Sequence, residues 1–218
     1  MSPRPFERPA TIGLPETEGL PPGSSLEGLW LPARGEEGPR GGALVAPPHP
    51  LMGGSMDSPV TTEIALAASD AGYGALRFNY RGVGGSAGTP SGETEDADVD
   101  YRAALDFMHE SVDGAIIACG YSWGALAASR ICVGAPRIRK LVLIAPPPGM
   151  LDGAALAAWG HAILVIAGDR DDFVPIDELK ETLAPIEGAE LVVLEGVDHF
   201  FMAGLAEVGR DTRRWLDA

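Results

Sequence analysis

Ala115-Ile116-Ile117-Ala118-Cys119-Gly120-Tyr121-Ser122-Trp123-Gly124-Ala125 joins an apolar run to a run of small residues through a tight glycine-flanked turn. Its first five residues form a continuous apolar run of strand length. The small residues from Ala125 to Ile131 then read as a helix. Between them, Gly120-Tyr121-Ser122-Trp123-Gly124 fits G-x-S-x-G, and a strand–turn–helix setting is what a nucleophile elbow requires. The chain reverses so sharply at the serine that the residues two away on either side must lack a Cβ atom. The turn lifts the Ser122 hydroxyl above the sheet, at a helix N-terminus whose dipole favours negative charge on a substrate oxygen. A glycine-rich turn with an idle serine would carry the same five residues, so the flanking chain has to discriminate.

Working outward, strands are predicted at Ser25–Leu31, Gly42–Ala46, Tyr73–Asn79, Gly114–Gly120, Lys140–Ala145, Ala162–Ala167 and Glu190–Leu194. Helices are predicted from Ser58 to Ala71, Glu93–Glu110, Trp123–Val133, Leu151–Trp159, Ile176–Leu183 and Phe200–Leu216. Ser58 suits an N-cap and Pro59 the first helical position. Apolar strands alternating with helices imply a mostly parallel sheet covered on both faces. No repeat and no linker divides the 218 residues, so residues 1–218 read as one α/β domain. The first 22 residues carry six prolines and read as a loose arm or edge strands.

A serine is a poor nucleophile without a base. Of the four histidines, His109 and His161 read as surface or structural residues and His49 precedes a proline. His199 follows the strand Glu190–Leu194 through Glu195-Gly196-Val197-Asp198. Loops at the carboxyl ends of parallel strands are where catalytic groups gather in open α/β sheets. The base needs an orienting carboxylate. Asp169, Asp171 and Asp172 all follow the strand Ala162–Ala167 at the same end of the sheet. The chain order serine, aspartate, histidine is that of an α/β-hydrolase triad.

Over about residues 40–205 the sequence resembles the α/β-hydrolases, and among them a small bacterial group of lidless serine hydrolases. The resemblance is carried by Pro48-His49-Pro50-Leu51-Met52-Gly53-Gly54-Ser55-Met56, by Leu76–Ser86 and by the elbow. Gly168-Asp169-Arg170-Asp171-Asp172-Phe173-Val174-Pro175 and Val197-Asp198-His199-Phe200-Phe201 complete it. Such families place the acid in G-x-x-D-x-x-V-P, which falls on Asp171. The resemblance implies a Ser122–His199–Asp171 triad and an oxyanion hole of two backbone N–H groups. Trp123, after the nucleophile, is one donor. Pro50 has no N–H, so Leu51 is the other, and His49 fixes the loop. About eight strands and no large cap are expected.

Composition narrows the chemistry. The formal net charge is −15, which disfavours nucleic acid and anionic membrane surfaces as partners. Two cysteines, Cys119 and Cys132, read as small buried hydrophobes of a reducing compartment. Residues 1–8 lack the apolar core of a signal peptide, and no apolar run approaches bilayer length. A cytoplasmic enzyme is expected. Gly82-Val83-Gly84-Gly85-Ser86-Ala87 loosely fits a dinucleotide loop, but Gly88–Gly92 separates it from the next helix, against phosphate binding. No metal-ligand spacing is seen, and no cofactor is expected. The expectation is hydrolysis of a small-molecule acyl ester. Amide cleavage on the same triad and a non-catalytic binding protein with this fold are the rivals. Only Pro146–His161 separates two strands where a cap would be inserted. An open site preferring short acyl chains, roughly C2–C6, follows, since each CH₂ left in water forfeits ~0.8 kcal/mol.

Overall fold

The computed structural model describes residues 6–16, 20–35 and 38–218. Among them, eight strands form one sheet: β1 (Arg8–Gly13), β2 (Ser25–Leu31), β3 (Gly41–Ala46), β4 (Gly74–Phe78), β5 (Ala115–Tyr121), β6 (Ile138–Ile144), β7 (Ala162–Gly168) and β8 (Ala189–Leu194). Their order across the sheet is β1-β2-β4-β3-β5-β6-β7-β8. β1 and β2 are antiparallel to each other, and β2 is antiparallel to β4. Every later pairing is parallel. The helices are α1 (Pro59–Asp70), α2 (Thr94–Ser111), α3 (Trp123–Ile131), α4 (Gly153–Trp159), α5 (Ile176–Leu183) and α6 (Leu205–Asp217).

All residues of β3 and β4 are buried, which demands cover on both faces. Helix α1 packs on α6, and α2 on α3, and these pairs supply the cover. Leu44, Ile64, Leu76, Ile116, Leu141 and Val165 lie in the core between them. Burial of each such side chain contributes about 1.5–3 kcal/mol. The outer strands differ: β8 is half-exposed along much of its length. No helix among the described residues is long and apolar enough to cross a membrane.

Of the two readings of the proline-rich start, the edge strand holds: β1 lies at the sheet edge, and residues 1–5 and 17–19 lie outside the described residues. Two other expectations need correction. The last helix begins at Leu205, not Phe200. Phe201 and Gly204 take positive φ values of 53° and 85°, and the Asp198 carboxylate accepts the Phe200 and Met202 N–H groups, so this segment is a turn. Ser58 occupies the N-cap of α1, but its side chain accepts no capping bond. The Thr61 hydroxyl instead donates to the Ser58 and Met56 carbonyls.

The sequence reads the carboxylates of Glu93–Asp100 as a solvated, dipole-favoured first helical turn; Glu93 and Glu95 are exposed, but the aspartates among them are engaged by arginines. The Asp100 carboxylate is 1% exposed and binds the Arg81 guanidinium and backbone N–H. Asp96 also pairs with Arg81, and Asp98 pairs with Arg130 at 2.7 Å. These aspartates tie the loop after β4, and α3, to one helix.

Candidate active site

The sharp turn between β5 and α3 has the strain its sequence demands. Ser122 sits at φ 53° and ψ −114°, a conformation costly for a residue with a side chain. Its N–H donates to the Ile144 carbonyl at 2.8 Å, which ties the strained turn to the neighbouring strand end. A Cβ at position 120 would lie 2.2 Å from the Gly124 backbone, and one at 124 would lie 2.4 Å from the Ala46 carbonyl oxygen. Both glycines are therefore steric requirements. Among the described residues, the other non-glycine positive-φ positions are Ala145 and Phe201. All three follow the carboxyl ends of strands, or lie close after them, on the side of the sheet that carries the serine.

The Ser122 Oγ is 3.0 Å from His199 Nε2, and His199 Nδ1 is 2.6 Å from Asp171 Oδ2. The second Asp171 oxygen accepts the Phe173 and Val174 N–H groups at 2.8 and 3.1 Å. The carboxylate is thus fixed by backbone and holds the imidazole proton on Nδ1. Nε2 is left free to accept the serine hydroxyl proton. The Asp171 side chain is fully buried, and that of His199 is 11% exposed.

The sequence brings these loops together through contacts that motif reading did not supply. A Cβ at Gly168 would lie 2.0 Å from the Val197 carbonyl oxygen, so a glycine there lets the aspartate and histidine loops touch. Arg170 N–H donates to that same carbonyl, and Asp169 Oδ1 accepts the Gly196 N–H at 2.6 Å. Asp169 therefore braces the histidine loop and is not beside the imidazole. The Tyr121 hydroxyl donates to the His199 carbonyl at 2.7 Å. Its position inside the G-x-S-x-G motif gave no hint of that role, because the motif leaves this residue unspecified.

On the other side of the serine, Pro50–Met52 form a short 3₁₀ turn that ends at Gly53 with φ 80°. Trp123 opens α3, and its N–H makes no hydrogen bond among the described residues. The Leu51 N–H instead donates to His49 Nδ1 at 3.2 Å. The His49 ring lies 4.7 Å from the Trp123 indole, and burial lowers its pKa below the ordinary imidazole value.

A cleft of about 610 Å³ opens over Ser122 and His199. Phe173, Phe200, Met52 and Met202 line it and are all more than half exposed. Two aromatic side chains, Phe173 and Phe200, line it, whereas three others near this end of the sheet do not. Phe201 is buried against Tyr121, Trp123 is buried beside His49, and Trp159 packs against the core and His161. Phe201 turns inward because the positive φ at this position reverses the chain after His199.

With this arrangement in view, the comparisons with known proteins are direct. A model of the alpha/beta hydrolase family matches residues 48–164. The chain belongs to that family. An uncharacterized protein of Rickettsia prowazekii is 31% identical over 206 residues, covering 89% of this chain and 85% of that one. An alpha-beta serine hydrolase homologue from Coxiella burnetii superposes with a TM-score of 0.81 at 28% identity, over 96% of this chain and 97% of the other. A serine hydrolase without a lid from Xanthomonas campestris gives a TM-score of 0.79 at 29% identity, over 96% of each chain. The alpha/beta hydrolase fold and the resemblance to lidless serine hydrolases are thereby established. Hydrolysis is the chemistry that the family supports.

Proposed function

We propose that the protein is a serine esterase of short-chain acyl esters, with Ser122 as nucleophile, His199 as general base and Asp171 as its orienting acid. One observation carries this reading: the continuous hydrogen-bonded path from Ser122 Oγ through His199 to a buried, backbone-held carboxylate. Ser122 Oγ attacks the ester carbonyl while His199 Nε2 takes its proton. The ester C–O bond breaks as His199 returns that proton to the leaving alkoxide. Water then attacks the acyl-serine with His199 again as base, releasing the carboxylic acid.

Trp123 and Leu51 are the proposed backbone donors to the oxyanion. The unpaired Trp123 N–H is ready for this. The Leu51 N–H has to exchange His49 Nδ1 for the substrate oxygen. A contact of 3.2 Å spanning two residues is weak, and a charged oxyanion is the stronger acceptor. The short-chain preference is supported by the connection after β6, where α4 spans only Gly153–Trp159 and no cap is inserted. The test is kcat/KM along p-nitrophenyl esters from acetate to palmitate. The expected maximum lies among the short esters. A maximum at C12 or longer, or activation at a lipid interface, would overturn the substrate class.

A further inference from the structure

The cleft over Ser122 has two unlike walls. Phe173, Phe200 and Met202 form one of them, an apolar wall beside His199. The loop between β3 and α1 forms the other and contributes Ser55, Asp57 and Ser58 beside Met52. Among the described residues, no lysine or arginine lines the cleft, and Asp57 is the one carboxylate that does. His49 also lines it, and its partial burial lowers its pKa and so disfavours its cationic form.

The charge on Asp57 is poorly compensated. Its nearest cation among the described residues is Arg77 Nη1, at 3.8 Å. Arg77 is 3% exposed and already engaged by Glu7 at 2.5 Å, by the Thr62 hydroxyl at 2.9 Å and by the Met56 carbonyl. One guanidinium serves two carboxylates, and Glu7 holds the closer contact. One negative charge is left over. Asp57, whose side chain is 73% exposed, is where it faces the cleft.

Resting on the esterase reading above, we infer that the preferred substrates are esters of a short apolar acid with a positively charged amino alcohol, and that Asp57 recognises the cation. The acyl group lies against the phenylalanine wall. The cationic alcohol lies toward Asp57 and leaves with the proton that His199 donates. The net charge of −15 steers the same class of molecule toward the protein and keeps anionic acyl donors away.

The test compares three butyrate esters by pH-stat titration at low ionic strength. Their alcohols are choline, its neutral isostere 3,3-dimethylbutanol, and the anionic 2-hydroxyethanesulfonate. A unit charge pair in a water-like medium near contact gives a preference of about fivefold. kcat/KM is therefore expected to rank choline about fivefold above the neutral ester, with the anionic ester lowest. In Asp57→Asn the choline-to-neutral ratio is expected to fall to about one, and in the unmutated protein it should shrink as salt is added. The ratio is the readout, so a general loss of activity in the variant does not mimic the effect. If the neutral ester is hydrolysed and the choline ester is no better, the inference fails alone. It also fails if the preference survives both Asp57→Asn and high salt. If none of the three is hydrolysed, the esterase reading fails and takes this inference with it.

Discussion

Two buried aspartates stand near the carboxyl edge of the sheet, and their partners set their different uses. Asp100 on α2 is held by Arg81, a permanent cation, through the guanidinium and the backbone N–H. Burial raises its pKa above the usual carboxylate value, and the hydrogen bonds and charge of Arg81 offset only part of that rise. Asp171 is equally buried, but its partners are two backbone N–H groups and an imidazole. The first site is electrostatically closed: its cation is always present, and its work is to anchor the loop after β4. The second is open. On the proposed mechanism its cation appears when His199 takes the proton of Ser122. The buried carboxylate then faces a charge that forms during the reaction, which is what an acyl-transfer site needs.

The sharpest way to break this contrast is at the serine. Ser122→Ala is expected to leave a folded protein whose kcat falls by about 10⁶, since triad members act as a unit. Steady-state kinetics on pure protein will show it, and retention of a substantial fraction of activity would remove Ser122 from the mechanism. Next in size is Asp171→Asn, with an expected loss of about 10⁴ from the wrong imidazole tautomer. The matched Asp169→Asn and Asp172→Asn variants should lose far less, because Asp169 braces a turn and Asp172 is exposed. If either neighbour proves the more damaging, the acid has been misassigned.

On the closed site the effect should fall on stability. Arg81→Leu strands the Asp100 charge, and breaking a buried pair costs about 3–5 kcal/mol. Urea unfolding should register that loss, and adding Asp100→Asn to the same chain should recover part of it. The smallest change is expected at Asp98→Asn. Its pair with Arg130 is partly exposed, with side chains 23% and 27% accessible. Such pairs contribute about 0–1 kcal/mol. A cost at Asp98 equal to that at Arg81 would mean that burial does not distinguish the two pairs.

Sequence carried the open site further than the closed one. The strand before Ser122, its two glycines and the aspartate and histidine at later strand ends are local patterns with chemical meaning, and each lands at the site. The spacing of the segment Gly168–Pro175 singled out Asp171 once the family resemblance was drawn. Arg81 and Asp100 are 19 residues apart with no motif between them. Only the packing of α2 against the sheet brings them into contact, so the acidic run read as solvated. The same limit explains Tyr121, whose hydroxyl reaches the His199 carbonyl across 78 residues. It explains Phe201 as well, where one positive φ reverses a side chain that periodicity would leave in a helix.

The central claim is that Ser122 is activated through His199 by Asp171. Fluorophosphonate labelling followed by peptide mapping tests it most directly, comparing the unmutated protein with Asp171→Asn. The expected result is a single adduct on Ser122, formed at least a hundredfold more slowly in the variant on the order of the tautomer penalty. An adduct elsewhere, no adduct at all, or equal labelling rates in the two proteins would contradict it.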